Sequence, residues 1–244
     1  MTMLSRRHLL ATLALTAGAA AVGISTAGAA SASPKETGLP GEGLLAGRPG
    51  FQPRTIMPLS HNELPGFLSA GQLASHHAKY VNAVDALKEA EHALVAVDRG
   101  EGFASRYTSL RRQQVSAANA VLLHELYFGN LAAAKIESPR YIEGHVREHM
   151  GSTEQWTQDF TSCALAAKSW AVLVYDPYDD RWHNTVMDGN DDGVWMGANP
   201  LVVCDVAEHA FANDYRAREE YVVKFLEHLD WEEVARRYKR VDRM

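Results

Sequence analysis

"CDVAEHAF", residues 204–211, places Asp205 and His209 four residues apart, with Glu208 beside the histidine. On a helix, positions i and i+4 share a face, so a carboxylate and an imidazole there can converge on one ion. Read alone, the same spacing describes an amphipathic helix with a local Asp–His hydrogen bond. The rest of the chain decides between the two.

Working outward, "PLVVCDV" (200–206) has the β-branched residues of a strand and feeds into a helix expected over 205–227. "SWAVLVYDP" (169–177) and "DDRWHNTVM" (179–187) read as two further strands. Turn connections make the sheet antiparallel. After Pro139 a helix is expected over 141–167. Earlier, apolar residues recur at helical spacing from Ser69 to about Val97 (Leu73, Val81, Val84, Leu87, Leu94). A second pattern runs from Phe103 to about Leu131, where Gly129 and Asn130 suit a C-cap. The short "DRGEG" turn between them makes an antiparallel hairpin. The expected fold class is α+β. A long N-terminal α-hairpin domain (56–136) packs on a C-terminal domain (137–244) with a small three-stranded antiparallel sheet and helices.

Of the 244 residues, 46% are hydrophobic and 22% charged, enough apolar surface for a globular core. Residues 1–32 hold two of the 24 basic residues, Arg6 and Arg7, and none of the 30 acidic ones. Residues 33–244 therefore carry 22 basic against 30 acidic groups, a formal −8. Such a surface argues against nucleic acid or anionic lipid as a partner. Cys163 and Cys204 allow one bridge at most, and both sit in apolar settings that suit buried free thiols.

The N-terminus reads as an address. "SRRHLLATLALTAGAAAVGISTAGAASAS" (5–33) has paired arginines, a diluted apolar run and a small-x-small cleavage site at Ala30-Ser31-Ala32. Gly18, Gly23 and Gly28 weaken the competing transmembrane reading. Ser5-Arg6-Arg7-x-x-Leu10 resembles a twin-arginine export signal. The expectation is a signal peptide over 1–32, and an exported protein, periplasmic or extracellular, free of the membrane after cleavage. The Pro- and Gly-rich residues 33–55 are expected to form a linker or irregular arm.

Three separate segments offer donors towards the interior. Asp205 and His209 come from the opening stretch, His124 from "VLLHELYFGNL" within an apolar face, and His76 and His77 from "LASHHAKYVNAV". A lone histidine on such a face is usually a satisfied core residue. Three imidazoles and one carboxylate from three elements suit a first-row transition ion such as Fe or Mn, one per chain, with a position left for solvent or substrate.

These stretches, in this order, resemble the iron/manganese superoxide dismutase family over about residues 58–238. "DVAEHAF…DYRAREEYVVKFLEHLDWEEVARRY" resembles the family's D-V-W-E-H-A-Y block and its C-terminal helix. "HELYFGNL" resembles its second-helix ligand, "HHAKYVN" its first-helix segment, and "SWAVLV", with Trp170, its G-W-x-W-L-V strand. The resemblance implies that His76, His124, Asp205 and His209 are the metal ligands, with His77 the alternative to His76. It implies that superoxide is the substrate, and that Glu208 pairs with the ligand histidine of a second subunit in a homodimer.

The departures are specific. The family places a histidine and then a tyrosine at successive helical turns after the first ligand, whereas here only Tyr80 follows at i+4. Either one helical turn is missing or Tyr80 fills the histidine's place and Val84 the tyrosine's. Tyr80 is expected to gate or hydrogen-bond the substrate channel. Ala207, Val172 and Ala212 stand where the family has aromatic side chains. Asp191, in "GNDDG", aligns with an amide or imidazole that donates a hydrogen bond to metal-bound solvent, which an ionised aspartate cannot do. It could equally cap the turn. These changes imply a roomier, wetter site and a reduced rate of dismutation. They leave as alternatives a different metal-dependent oxidoreductase on the same scaffold, or a non-enzymatic metal-binding or interaction protein.

"HVREH" (145–149) fits the H-x-x-E-H pattern of inverted zinc proteases, but so short a pattern recurs by chance. His124-Glu125 lacks the second histidine of H-E-x-x-H, and neither a glycine-rich phosphate loop nor G-x-S-x-G is present.

Overall fold

The computed structural model describes residues 54–241, together with Leu45 and Arg48. The expected signal peptide and nearly all of the expected arm lie outside these residues. Helix α1 (Ala70–Ala96) starts where Ser69 accepts a hydrogen bond from Gln72 N at 3.1 Å, an N-cap that satisfies one orphan amide of the first turn. Helix α2 (Ala104–Gly129) ends at Asn130. The two form the expected hairpin, each within a residue or two of its sequence-based bounds.

The helix expected over 141–167 is two helices. Helix α3 (Arg140–Met150) stops at Gly151, whose φ of 86° is left-handed backbone that a glycine adopts without strain. Ser152 then caps α4 (Thr153–Ala166), accepting from Gln155 N at 3.1 Å. Apolar residues at helical spacing on both sides, Ile142 and Val146 before it and Trp156 and Phe160 after it, made the two helices read as one.

Strands β1 (Trp170–Asp176), β2 (Arg181–Met187) and β3 (Asn199–Asp205) form an antiparallel sheet in the order β2-β1-β3. The central position of β1 explains its unbroken apolar run: all seven residues are buried. Its first residue, Trp170, is in register with Asp205, the last of β3.

The helix expected over 205–227 is also corrected. Asp205 ends a strand, Glu208–Ala210 form one 3₁₀ turn, and α5 begins only at Arg218 (Arg218–Glu227). Helix α6 (Trp231–Val241) closes the described chain. One hydrophobic core takes in Leu73 of α1, Leu123 and Tyr127 of α2, the sheet, and α4 to α6.

Buried Arg237 of α6 ties α2 to the sheet. It donates to Asn130 Oδ1 (3.0 Å), Leu201 O (3.0 Å) and Leu126 O (2.8 Å), and pairs with Glu233 at 2.9 Å. Asn130 Oδ1 also accepts from Val203 N at 2.8 Å. This network fixes the helix carrying His124 against the strand carrying Asp205. Both cysteines are free. No helix among the described residues is long and apolar enough to cross a membrane.

Candidate metal centre

His76 lies in the second turn of α1 and His124 near the end of α2, while Asp205 and His209 flank the end of β3. Each offers one donor atom, and the four atoms all lie within 4.8 Å of one another. Asp205 Oδ2 is the hub: it is 2.9 Å from His76 Nε2, 3.1 Å from His209 Nε2 and 3.9 Å from His124 Nε2. Its other oxygen accepts from Ala207 N at 3.0 Å, which sets the carboxylate plane. Asp205 and His76 are fully buried; His209 is partly open to solvent.

The local supports are specific. His124 Nδ1 is 2.7 Å from Ala120 O, which can only accept, so Nδ1 carries the proton and Nε2 keeps its lone pair. That Nε2 is buried and has no hydrogen-bond partner. A buried acceptor left unpaired, beside a carboxylate and two more imidazoles, fits a bound metal ion. Gln72 holds the turn of the fourth residue, donating to His209 O at 2.7 Å and accepting from Asn213 N at 3.0 Å. Tyr221 donates to Asp205 O at 2.8 Å. Nothing in the linear pattern marked Gln72 or Tyr221, because their partners are backbone atoms far along the chain.

His77 is not in the cluster. Its Nε2 lies 2.8 Å from Met57 O, in the segment that precedes α1. Helix α1 runs unbroken through the disputed register, with Tyr80 one turn after His76 and Val84 one turn further, both buried. The Tyr80 hydroxyl donates to Glu125 at 3.0 Å and accepts from Met57 N at 3.0 Å. It is thereby occupied within the same chain, and Glu125 also faces Arg54 at 3.8 Å.

Trp170 is buried and meets His124 edge-on, ring centroids 5.1 Å apart. Its indole N–H donates to Asn190 Oδ1 at 3.0 Å. Asn190 and His124 line one cleft of about 690 Å³ between α1 and α2, walled largely by Ala83, Ala86, Ala117 and Ala120. Asp191 is exposed on the single chain, whereas the carboxamide of Asn190 beside it lines the cleft. A turn as polar as "DGNDDG" has no periodicity to tell which side chain faces inward.

The electrostatics favour a cation. Burial alone would raise the Asp205 carboxyl, but hydrogen bonds from His209 and His76 outweigh it and hold the group well below the usual carboxylate range. Burial pushes His124 down to about 4, against the pull of the Asp205 charge. At neutral pH the site therefore presents an anion and at least one neutral imidazole.

A pH effect on the metal-free protein follows. The unfolded chain takes a proton on this histidine near pH 6.5 and the folded chain only near 4. Between those values the unfolded state binds more protons, so stability falls as pH falls. The expected loss is roughly 3 kcal/mol by pH 4 relative to a His124→Gln variant. Urea unfolding of both proteins across that window measures it, and parallel curves would rule it out.

The comparisons with known proteins agree with this geometry. Residues 139–237 match the family model for iron/manganese superoxide dismutases, C-terminal domain. A manganese superoxide dismutase of Haloferax volcanii is 33% identical over 167 residues, covering 68% of this chain and 82% of that protein. The chain belongs to the iron/manganese superoxide dismutase family. A further member, the iron superoxide dismutase of Aquifex aeolicus, is 26% identical over 194 residues, 78% of this chain and 89% of that protein. Within this family, iron or manganese is the resident metal, and the His76–His124–Asp205–His209 group is the cluster that could hold it.

Proposed function

We infer that the protein disproportionates superoxide to hydrogen peroxide and oxygen at one iron or manganese ion held by His76, His124, Asp205 and His209. The observation that carries this reading is the convergence of three imidazoles on buried Asp205, with His124 Nε2 left unpaired. Iron or manganese held by these four residues would supply the one-electron exchange that dismutation needs. The chain's residues supply the rest. Asp205 and the histidines fix the ion, and Ala120 O holds the His124 tautomer. Trp170 shields one flank, and the α1–α2 cleft admits the anion and the two protons that the reaction consumes. Stripping the metal with a chelator should abolish superoxide consumption, and adding back iron or manganese should restore it. Activity that survives stripping would overturn the assignment.

Assembly and rate complete the proposal. Glu208 is exposed on the single chain, at the 3₁₀ turn beside His209. This placement supports a two-fold homodimer in which each Glu208 bonds the ligand histidine of the other copy. Glu208→Ala is expected to weaken dimerisation and metal retention together, read by sedimentation and metal analysis of one sample. A wild-type protein that sediments as a monomer at micromolar concentration would contradict it. With Ala207, Val172 and Ala212 in place of aromatic residues, the rate is expected to fall well below the diffusional ceiling of about 10⁸–10⁹ M⁻¹s⁻¹.

The leader supports export of the mature chain. Replacing Arg6 and Arg7 by lysine should leave the uncleaved precursor inside the cell, and unchanged export of that variant would count against a twin-arginine route.

A further inference from the structure

The "HVREH" stretch finds a structural setting on α3. Residues three and four apart share a helix face, so His145, Glu148 and His149 lie together while Val146 is buried beneath. Each of the three offers a donor atom, and those atoms lie within 4.8 Å of one another. His145 Nδ1 and Glu148 Oε2 are 3.9 Å apart. None of the three belongs to the centre at Asp205.

The imidazoles are held rather than loose. Their rings are nearly parallel, 5.9 Å apart with an interplanar angle of 5°. Both stack on the indole of Trp182, at 5.7 Å and 5.9 Å, and Tyr238 meets His145 edge-on at 4.5 Å. Trp182 is itself buried on β2. This packing removes rotamer freedom that an ordinary surface pair would lose only on binding a ligand.

Two observations point to what would bind. His145 Nδ1 is shielded from solvent and makes no hydrogen bond, a state that is costly unless a partner arrives. Glu148 and His149 also line a concavity of about 600 Å³ shared with Asp159, Asp179, Asp180, Arg181 and His183, where the carboxylates outnumber the single guanidinium. Carboxylates around that hollow favour a cation over an anion.

The geometry points to a second metal site, formed by His145, Glu148 and His149, that takes a divalent transition ion of the zinc class. Two imidazole nitrogens and one carboxylate oxygen suit Zn²⁺, with copper(II) binding more tightly by the general order of first-row ions. Three protein donors would leave at least one coordination position for solvent. The same histidine spacing carries zinc in proteases of the inverted signature, but the assignment here is to ion binding alone.

The test uses the protein with its iron or manganese in place, so that added zinc does not simply fill the first centre. Calorimetric titration with zinc chloride is expected to show one additional ion per chain, without release of iron or manganese. Glu148→Ala, a change at an exposed residue, and His149→Ala should each weaken that binding by at least about 10-fold, the loss that even a supporting partner's removal can cause. Copper(II) bound there should quench Trp182 emission, and Trp182→Phe should remove the quenched component. The proposal is overturned if no further zinc binds in the high-micromolar range. It is equally overturned if zinc uptake is matched by loss of iron or manganese, or if the His145→Ala/His149→Ala double variant binds zinc undiminished.

Discussion

Asp205→Ala is expected to yield a folded protein without iron or manganese and without superoxide consumption above background. Asp205 is the anionic donor of the cluster, and its Oδ2 lies within 3.9 Å of all three imidazole nitrogens. Removing it leaves three buried or half-buried imidazoles to share a divalent or trivalent charge with no counter-charge from the protein. Loss of a supporting partner alone commonly costs about 10- to 100-fold in metal affinity, and loss of this ligand should exceed that. Asp205→Asn separates charge from shape, because an amide keeps an oxygen for the Ala207 N–H but carries no negative charge. It should also lose the metal. Stoichiometric metal in either variant would sink the ligand assignment.

The second large effect is expected at Asn190, with the metal retained. Its Oδ1 is engaged by the Trp170 indole N–H, so its NH₂ group is the part left to donate into the cleft that His124 lines. Asn190→Ala removes that donor and frees the indole that packs against the His124 imidazole of the candidate centre. A loss of about 10- to 100-fold in turnover per bound metal is expected, while Asp191→Gln, at an exposed position, should change little. Turnover normalised to metal content separates the two outcomes. Equal losses in both variants, or none in Asn190→Ala, would show that the carboxamide has no such role.

The hairpin was legible in the sequence because its helices are long and capped by residues of the right kind, Ser69 at one end and Gly129–Asn130 at the other. The central strand was legible from its continuous apolar run. Two features were not. An i, i+4 spacing fits a helix, yet Asp205 and His209 reach the same place from a strand end and one 3₁₀ turn, since both routes bring the side chains within hydrogen-bonding distance. Gly151-Ser152 interrupts an apolar pattern that is periodic on both sides, so periodicity alone joined α3 to α4. Of the candidate site, the four donors were readable because they lie within motifs. Asn190 and Gln72 were not, because they act on groups that only the folded chain brings near.

The most direct measurement takes the purified wild-type chain, determines its iron and manganese, and follows superoxide consumption on the same sample. The expected result is about one iron or manganese ion per chain and dismutation that scales with metal content, at a rate below the diffusional ceiling. A metal-replete protein that leaves superoxide untouched would contradict the account and turn attention to another oxidation at the same centre.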